Sequence, residues 1–256
     1  MILLLDQGNH RLKWQLRPHT EGAAVRAAAV ALDGDWRGAL ATDLAGCPPV
    51  SGALVASVAG PARSDELRRF LEAKGLTEVV FAVSREELGG VRNGYRDPAR
   101  LGIDRWCAAV AAYRRCREAV LVADVGTAWT YDLVDATGRH LGGWIAPGPA
   151  TQRGALHAAT AALPYLAEGG MSTLAVSPAW GQDTEAAIRG GVRATTLGFL
   201  AIAEEAAQQC VGPRFARVVT GGDRDALPVL RARGYTMVED LVLDGLALYA
   251  AREHTS

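Results

Sequence analysis

The sequence predicts an α/β protein built from two duplicated units, and three observations carry that expectation. The first is a pattern that occurs twice, about a domain length apart. An apolar run ends in a carboxylate, a glycine and a small polar residue follow, and a second alternating strand returns. In the first copy Ile2 to Leu5 leads into Asp6-Gln7-Gly8-Asn9, then Leu12, Trp14 and Leu16; in the second, Ala119 to Ala123 leads into Asp124-Val125-Gly126-Thr127, then Trp129, Tyr131 and Leu133. The second observation is that short strand-like runs elsewhere alternate with stretches of helical periodicity. The third is size: 256 residues exceed one small core and suit one large domain or two units of roughly 100–150 residues. No Pro/Gly/Ser-rich linker separates the halves. The division into residues 1–117 and 118–256 therefore rests on the repeat, whose long period points to duplication rather than to a short-period solenoid.

The elements follow in order. A hairpin covers about residues 2–16, and residues 24–31 form a third strand. Gly46-Cys47-Pro48-Pro49 is a loop and Ala53 to Val58 another strand. Gly60-Pro61 turns the chain into a helix capped by Ser64, with Leu67, Phe70 and Leu71 on its apolar stripe and Gly75 at its end. Val79 to Val83 is a short buried strand. Asn93 to Pro98 reads as a loop. Leu101 to Trp106 enters a helix whose apolar side carries Trp106, Val110 and Tyr113, and whose end carries Arg114, Arg115 and Arg117, a dipole-complementing cluster. After the second hairpin, His140 to Pro149 is a strand entering a Gly/Pro turn, where the glycines serve tight packing or the approach of a ligand. A helix follows from about Thr151 and includes His157, to which no role is assigned. Residues 164–182 are irregular. Asp183 or Thr184 caps a long helix reaching about Gln209, with Gly190-Gly191 marking close packing or a bend. Ala216 to Thr220 is a strand ending in Gly221-Gly222-Asp223, of the kind that lines a nucleotide. A closing amphipathic helix, about Asp240 to Arg252, carries Val242, Leu246 and Tyr249.

The hairpin tips suggest the chemistry. Glycine lets a backbone approach a phosphate closely, N–H groups and small polar side chains donate to it, and a carboxylate such as Asp6 can hold the Mg²⁺ that travels with a nucleotide. Lys13, just beyond the first tip, can reach a phosphate. Asp, Asn and Gly also favour plain turns, and that reading stands beside the functional one. Asp104 and Arg105 pair a carboxylate with a guanidinium at a helix start. The carboxylate can take a proton from a hydroxyl and the guanidinium can bind a carboxylate bidentately, although a first-turn Asp also has a structural role. Thr184 either caps its helix or offers a hydroxyl to a substrate.

The composition, 49% hydrophobic and 21% charged, is ordinary for a globular chain. A formal charge of −1 gives no pull toward nucleic acid or an anionic membrane. Cys47, Cys107, Cys116 and Cys210 form no C-x-x-C pair, which argues against a zinc site or disulfide framework and for a reducing compartment. The opening apolar run breaks at Asp6, too early for a signal-peptide core, and no run approaches the roughly 20 apolar residues of a membrane span. A cytoplasmic protein is expected.

In order and spacing, Asp6-Gln7-Gly8-Asn9 with Lys13, Asn93-Gly94-Tyr95 with Pro98, Gly102-Ile103-Asp104-Arg105, Asp124-Val125-Gly126-Thr127-Ala128, Gly142-Gly143 with Pro147-Gly148, and Gly181 with Thr184 resemble the type III pantothenate kinases. The resemblance covers nearly the whole chain. His10 stands where that family usually carries Thr or Ser, which leaves open whether a hydroxyl is needed there. The resemblance implies two ribonuclease-H-like domains of the actin/Hsp70/sugar-kinase superfamily, with mixed sheets flanked by helices and a nucleotide cleft. It implies ATP-dependent phosphorylation of the pantothenate 4′-hydroxyl, the first step of coenzyme A synthesis, by a homodimer that needs Mg²⁺ and K⁺ or NH₄⁺. On matching positions, Asp6, Gln7, Gly8, Asn9, His10, Arg11, Leu12 and Lys13 would form the first phosphate loop, with Asp6 near Mg²⁺ through water. Tyr95, Gly102, Ile103, Asp104 and Arg105 would line the pantothenate pocket, with Asp104 the general base. Asp124 would lie at the monovalent cation, Thr127 at the ATP phosphates, and Thr184 at pantothenate, a contact that can cross the dimer interface. Two alternatives share the scaffold: a kinase or phosphatase acting on another small molecule, and a regulatory protein without turnover.

Overall fold

The structure is a computed structural model that describes residues 1–18, 24–164, 166, 180–224 and 228–253. It contains two five-stranded sheets with the same wiring. In the first, β1 (Ile2–Gln7) and β2 (Arg11–Arg17) form the expected hairpin, β3 (Arg26–Ala31) pairs antiparallel with β2, and β4 (Gly52–Ser57) and β5 (Val79–Phe81) extend the other side in parallel. The strand order is β3-β2-β1-β4-β5. A two-stranded ribbon, β6 (Glu87–Leu88) with β7 (Val91–Arg92), follows. In the second large sheet, β8 (Val120–Val125), β9 (Ala128–Val134), β10 (His140–Pro147), β11 (Ala216–Thr220) and β12 (Thr236–Met237) repeat the scheme in the order β10-β9-β8-β11-β12. Antiparallel and parallel pairings fall at equivalent places. This is the duplicated ribonuclease-H-like arrangement.

The helices are α1 (Trp36–Ala45), α2 (Pro61–Ala73), α3 (Ile103–Cys116), α4 (Pro149–Ala159), α5 (Thr184–Val211), α6 (Pro228–Ala232) and α7 (Leu241–Glu253). One face of the first sheet buries Leu3, Leu5, Leu12, Trp14 and Leu16 against Trp36 and Leu40 of α1 and Leu67 and Leu71 of α2. Strand alternation puts Gln15 and Arg17 on the opposite face, where Gln15 Nε2 donates to Asp240 Oδ2 (2.7 Å) and Arg17 Nη2 to Asp244 Oδ1 (2.6 Å). The second sheet buries Leu121, Ala123, Val125, Trp129 and Tyr131 with Leu200, Ala203 and Ala207 of α5 and Leu230 of α6. Burying one such large side chain contributes roughly 1.5–3 kcal/mol.

Contacts divide the chain into two compact units: Met1–Arg114 with the stretch from Asp240 onward, and Arg115–Glu239. The closing helix α7 lies in the first of these units. It packs on β1 and β4, Tyr249 OH donates to Val83 O (3.0 Å), and it meets α3 so closely that a Cβ on Gly245 would lie 2.1 Å from Cys107 O.

Several elements differ from expectation for local reasons. Helix α2 begins one turn earlier than a Ser64 cap implies, because Gly60 adopts φ +84° and Pro61 supplies a φ suited to the first helical position. Helix α1 was not expected; Asp35 caps it through Gly38 N (2.9 Å), and its sequence has little amphipathic pattern. The ribbon β6–β7, helix α6 and strand β12 are too short for a periodic signal. Helix α5 continues through Gly190 and Gly191, where a Cβ would meet nothing within 4 Å among the described residues. Most of the irregular stretch 164–182 lies outside the described residues.

Candidate active site

In the first unit the hairpin tip is closed by Gly8 N donating to Arg11 O (3.0 Å), with Asp6 opposite Lys13 and Gln7 opposite Leu12. Asn9, His10 and Arg11 are exposed at the tip. The side chains of Leu12 and Gln7 turn inward: Leu12 is in the core, and Gln7 is 2% exposed. Contact between a phosphate and these two positions would use the backbone.

Asp6 points to the face opposite Leu5 and Gln7, the face on which α7 packs. Cys107 of α3 is fully buried, and its thiol is pushed well above the usual range, first by burial and then by the negative charges of Asp6 and Asp104. Helix α3 brings Asp104 to the Asp6 side of the sheet across a long stretch of sequence.

Asp104 stands in the first turn of α3, half-buried, and its Oδ1 accepts from Arg105 N (2.8 Å). Gly102 makes room for this: a Cβ there would lie 2.7 Å from Asp104 Oδ1. Arg105 is 5% exposed; its Nη1 donates to Tyr95 OH (2.9 Å), and the guanidinium lies 5.9 Å from the Tyr95 ring centroid. Tyr95 is positioned by Asn93, whose Oδ1 accepts from Tyr95 N (3.0 Å) while its amide donates to Arg85 O (3.2 Å) and Pro98 O (3.3 Å). Asp97 caps the short 3₁₀ turn Pro98–Arg100. Tyr95, Gly102, Asp104 and Arg105 thus form one cluster. Ile103 is a packing residue, 6% exposed.

The second unit holds the other hairpin. Gly126 N donates to Ala128 O (3.1 Å) at its tip. Thr127 is exposed, and its carbonyl accepts from Gly148 N (2.9 Å) and Thr151 Oγ1 (2.6 Å). A Cβ on Gly148 would lie 2.1 Å from Gly126 O, so this glycine serves tight packing. The Gly221 loop presses on the same hairpin: Asp223 N donates to Val125 O (3.0 Å), and a Cβ on Gly221 would lie 2.2 Å from Val125 O and 2.6 Å from Asp124 Oδ1. Gly221 also has φ +102°, a conformation that side-chain-bearing residues avoid. Gly221→Ala is expected to destabilise the protein by about 1–3 kcal/mol, measured by urea unfolding. Thr184 is the first, exposed residue of α5; the cap is Asp183, which accepts from Ala186 N (2.7 Å), so the Thr184 hydroxyl is not the capping group. His157 Nδ1 lies 2.9 Å from Leu163 O, a local contact.

Sequence reasoning missed the support of both hairpins. Ser57, Ser64 and Arg63 around Gln7 carry no motif, and their proximity depends on strand pairing. It also missed the buried pair Asp132–His140 (Oδ1 to Nε2, 2.8 Å) on β9 and β10. Two-residue alternation from Trp129 is the only pattern bearing on these positions, and it does not mark the pair.

Residues 2–205 match the family model described as type III pantothenate kinase. Over 97% of its length the chain is 38% identical to the type III pantothenate kinase of Pseudomonas savastanoi pv. phaseolicola, covering 98% of that protein. The chain belongs to the type III pantothenate kinase family. Another relative, the type III pantothenate kinase of Alkalilimnicola ehrlichii, is 39% identical, with 97% of each chain covered. Solved structures with low identity share the fold. A Campylobacter jejuni protein assigned to the Baf family of transcriptional activators has a TM-score of 0.60 at 19% identity, covering 99% of this chain and 98% of that one. The activator of 2-hydroxyisocaproyl-CoA dehydratase from Clostridium difficile, with bound ADPNP, has a TM-score of 0.55 at 12% identity, covering 99% and 95%. The stretches 6–13, 102–105 and 124–127, and Thr184, fall on the two hairpin tips, the start of α3 and the start of α5.

Proposed function

We propose that the protein transfers the γ-phosphoryl group of ATP to the 4′-hydroxyl of pantothenate, the entry reaction of coenzyme A synthesis, with Asp104 as general base. The observation that carries this reading is the cluster at the start of α3: a half-buried carboxylate on the Asp6 side of the sheet, next to a buried arginine held by Tyr95. An alcohol is a poor nucleophile near neutral pH. Asp104 accepts its proton during attack on phosphorus, and the remaining work is in-line positioning and charge neutralisation. Arg105 binds the pantothenate carboxylate, which would otherwise be desolvated without a partner. Tyr95, Gly102 and Ile103 shape this pocket, and Thr184 gives pantothenate a hydroxyl within a cytoplasmic homodimer. The backbone of residues 6–13, with the Lys13 ammonium, and the Thr127 hydroxyl receive the ATP phosphates.

Among the described residues no group of three or more His, Cys, Asp or Glu could hold a metal ion. A Mg²⁺ ion would then take most of its oxygen ligands from ATP and water, with Asp6 in the outer layer. Asp124 would give a carboxylate oxygen to a monovalent cation, K⁺ or NH₄⁺, since hard cations take oxygen donors of this kind. When bound, the two cations neutralise phosphate charge.

A coupled assay of ADP release tests the reading. ADP is expected only with pantothenate present, and faster in K⁺ than in Na⁺ buffer. ADP formation on sugars or acetate, with none on pantothenate, would instead favour another acceptor. In the described residues no helix is long and apolar enough to cross a membrane.

A further inference from the structure

We infer that Arg63, on α2 and outside every motif of the chain, is a positioning residue for the first phosphate loop, acting together with the buried amide of Gln7. This rests on the assignment of residues 6–13 to ATP. The Gln7 amide is satisfied on both sides: Nε2 donates to Arg63 O (3.1 Å), and Oε1 accepts from Ser57 Oγ (2.8 Å). Ser57 Oγ in turn lies 2.9 Å from Ser64 Oγ, and Val58 N donates to Gln7 O (3.1 Å). The end of β1, the end of β4 and the first turn of α2 are thereby joined by polar contacts beneath the hairpin.

Above this layer the exposed Arg63 side chain reaches back over the tip, and its Nη1 donates to Asn9 O. The next carbonyl, His10 O, accepts from Leu32 N (2.8 Å). There are no cis peptide bonds among the described residues. In a trans peptide the N–H points opposite to the carbonyl it is conjugated with. Holding Asn9 O and His10 O therefore sets the direction of the His10 and Arg11 N–H vectors. A loop whose peptide planes are set before ligand arrives loses less entropy on binding phosphate. Arg63 contributes this from an exposed site at the helix start, whereas the packing of α2 rests on Leu67 and Leu71, so its removal leaves the core intact.

The test compares the full-length protein with Arg63→Met and Arg63→Lys, using titration with a non-hydrolysable ATP analogue and separate KM values for ATP and pantothenate. Arg63→Met is expected to weaken analogue binding and raise the ATP KM about tenfold, the usual scale of one lost charge-assisted hydrogen bond. The pantothenate KM should stay unchanged, and the thermal midpoint should move by less than about 2 °C. Arg63→Lys, which keeps a donor for Asn9 O, should recover most of the affinity. Analogue binding equal to wild type in Arg63→Met would overturn the inference. So would Arg63→Lys being as defective as Arg63→Met, which would make the guanidinium itself a phosphate ligand. A wild-type protein that binds the analogue but does not phosphorylate pantothenate would refute the acceptor assignment, while the titration would still decide the role of Arg63.

Discussion

Asp104→Asn is expected to lower kcat for pantothenate phosphorylation by about 10²–10⁴-fold, the contribution of a well-placed general base. The substitution suits the question because it leaves the local structure in place. The oxygen that accepts from Arg105 N at 2.8 Å survives in the amide, and the volume is unchanged. The space left by Gly102 opposite that oxygen accommodates either group. Stability should therefore change by no more than about 0.5 kcal/mol, and the ATP-analogue affinity should be retained. What disappears is the ability to accept a proton while the alcohol attacks. Steady-state kinetics alongside chemical denaturation would check both halves. A fully active Asp104→Asn would remove Asp104 from the role of base.

Arg105→Met is expected to reduce kcat/KM for pantothenate by roughly 10²-fold, as is common when one partner of a buried charged contact is truncated. Methionine retains much of the packed stem while deleting the fork. Two losses combine. The pantothenate carboxylate loses its bidentate partner, and Tyr95 OH loses the Nη1 donor that holds it at 2.9 Å. Because Arg105 is 5% exposed, water replaces it poorly at this site. The ATP KM should be unaffected. A matching rise in the ATP KM would show instead that Arg105 supports the whole fold of the site. Arg105→Lys should recover only part of the loss, because an ammonium cannot reproduce the planar fork.

Sequence pattern revealed the duplicated hairpins because they obey local rules. Leu12, Trp14 and Leu16 alternate strictly, and all three are buried against α1 and α2. The 93–105 cluster was legible for a similar reason, since Asn93, Tyr95, Gly102, Asp104 and Arg105 are close in sequence as well as in space. What pattern could not show depends on contacts between distant segments. Asp240 and Asp244, at the start of the closing helix α7, meet Gln15 and Arg17 of β2, pairs separated by most of the chain. Gly221 reads from the sequence as part of a loop that lines a nucleotide and Gly148 as serving packing or ligand approach; each presses its backbone against the second hairpin. The start of α2 was misplaced because Ser64 is a good cap by type, whereas Gly60 and Pro61 impose the turn by backbone conformation. Gln7 counted as part of a phosphate loop, yet its side chain is a buried support of that loop.

Phosphorus NMR of the products formed from ATP and pantothenate tests the central claim most directly. A phosphomonoester on the 4′-hydroxyl, accumulating in step with ADP and nearly absent with Asp104→Asn, is the predicted result. Release of ADP with inorganic phosphate alone, and pantothenate recovered unchanged, would contradict it.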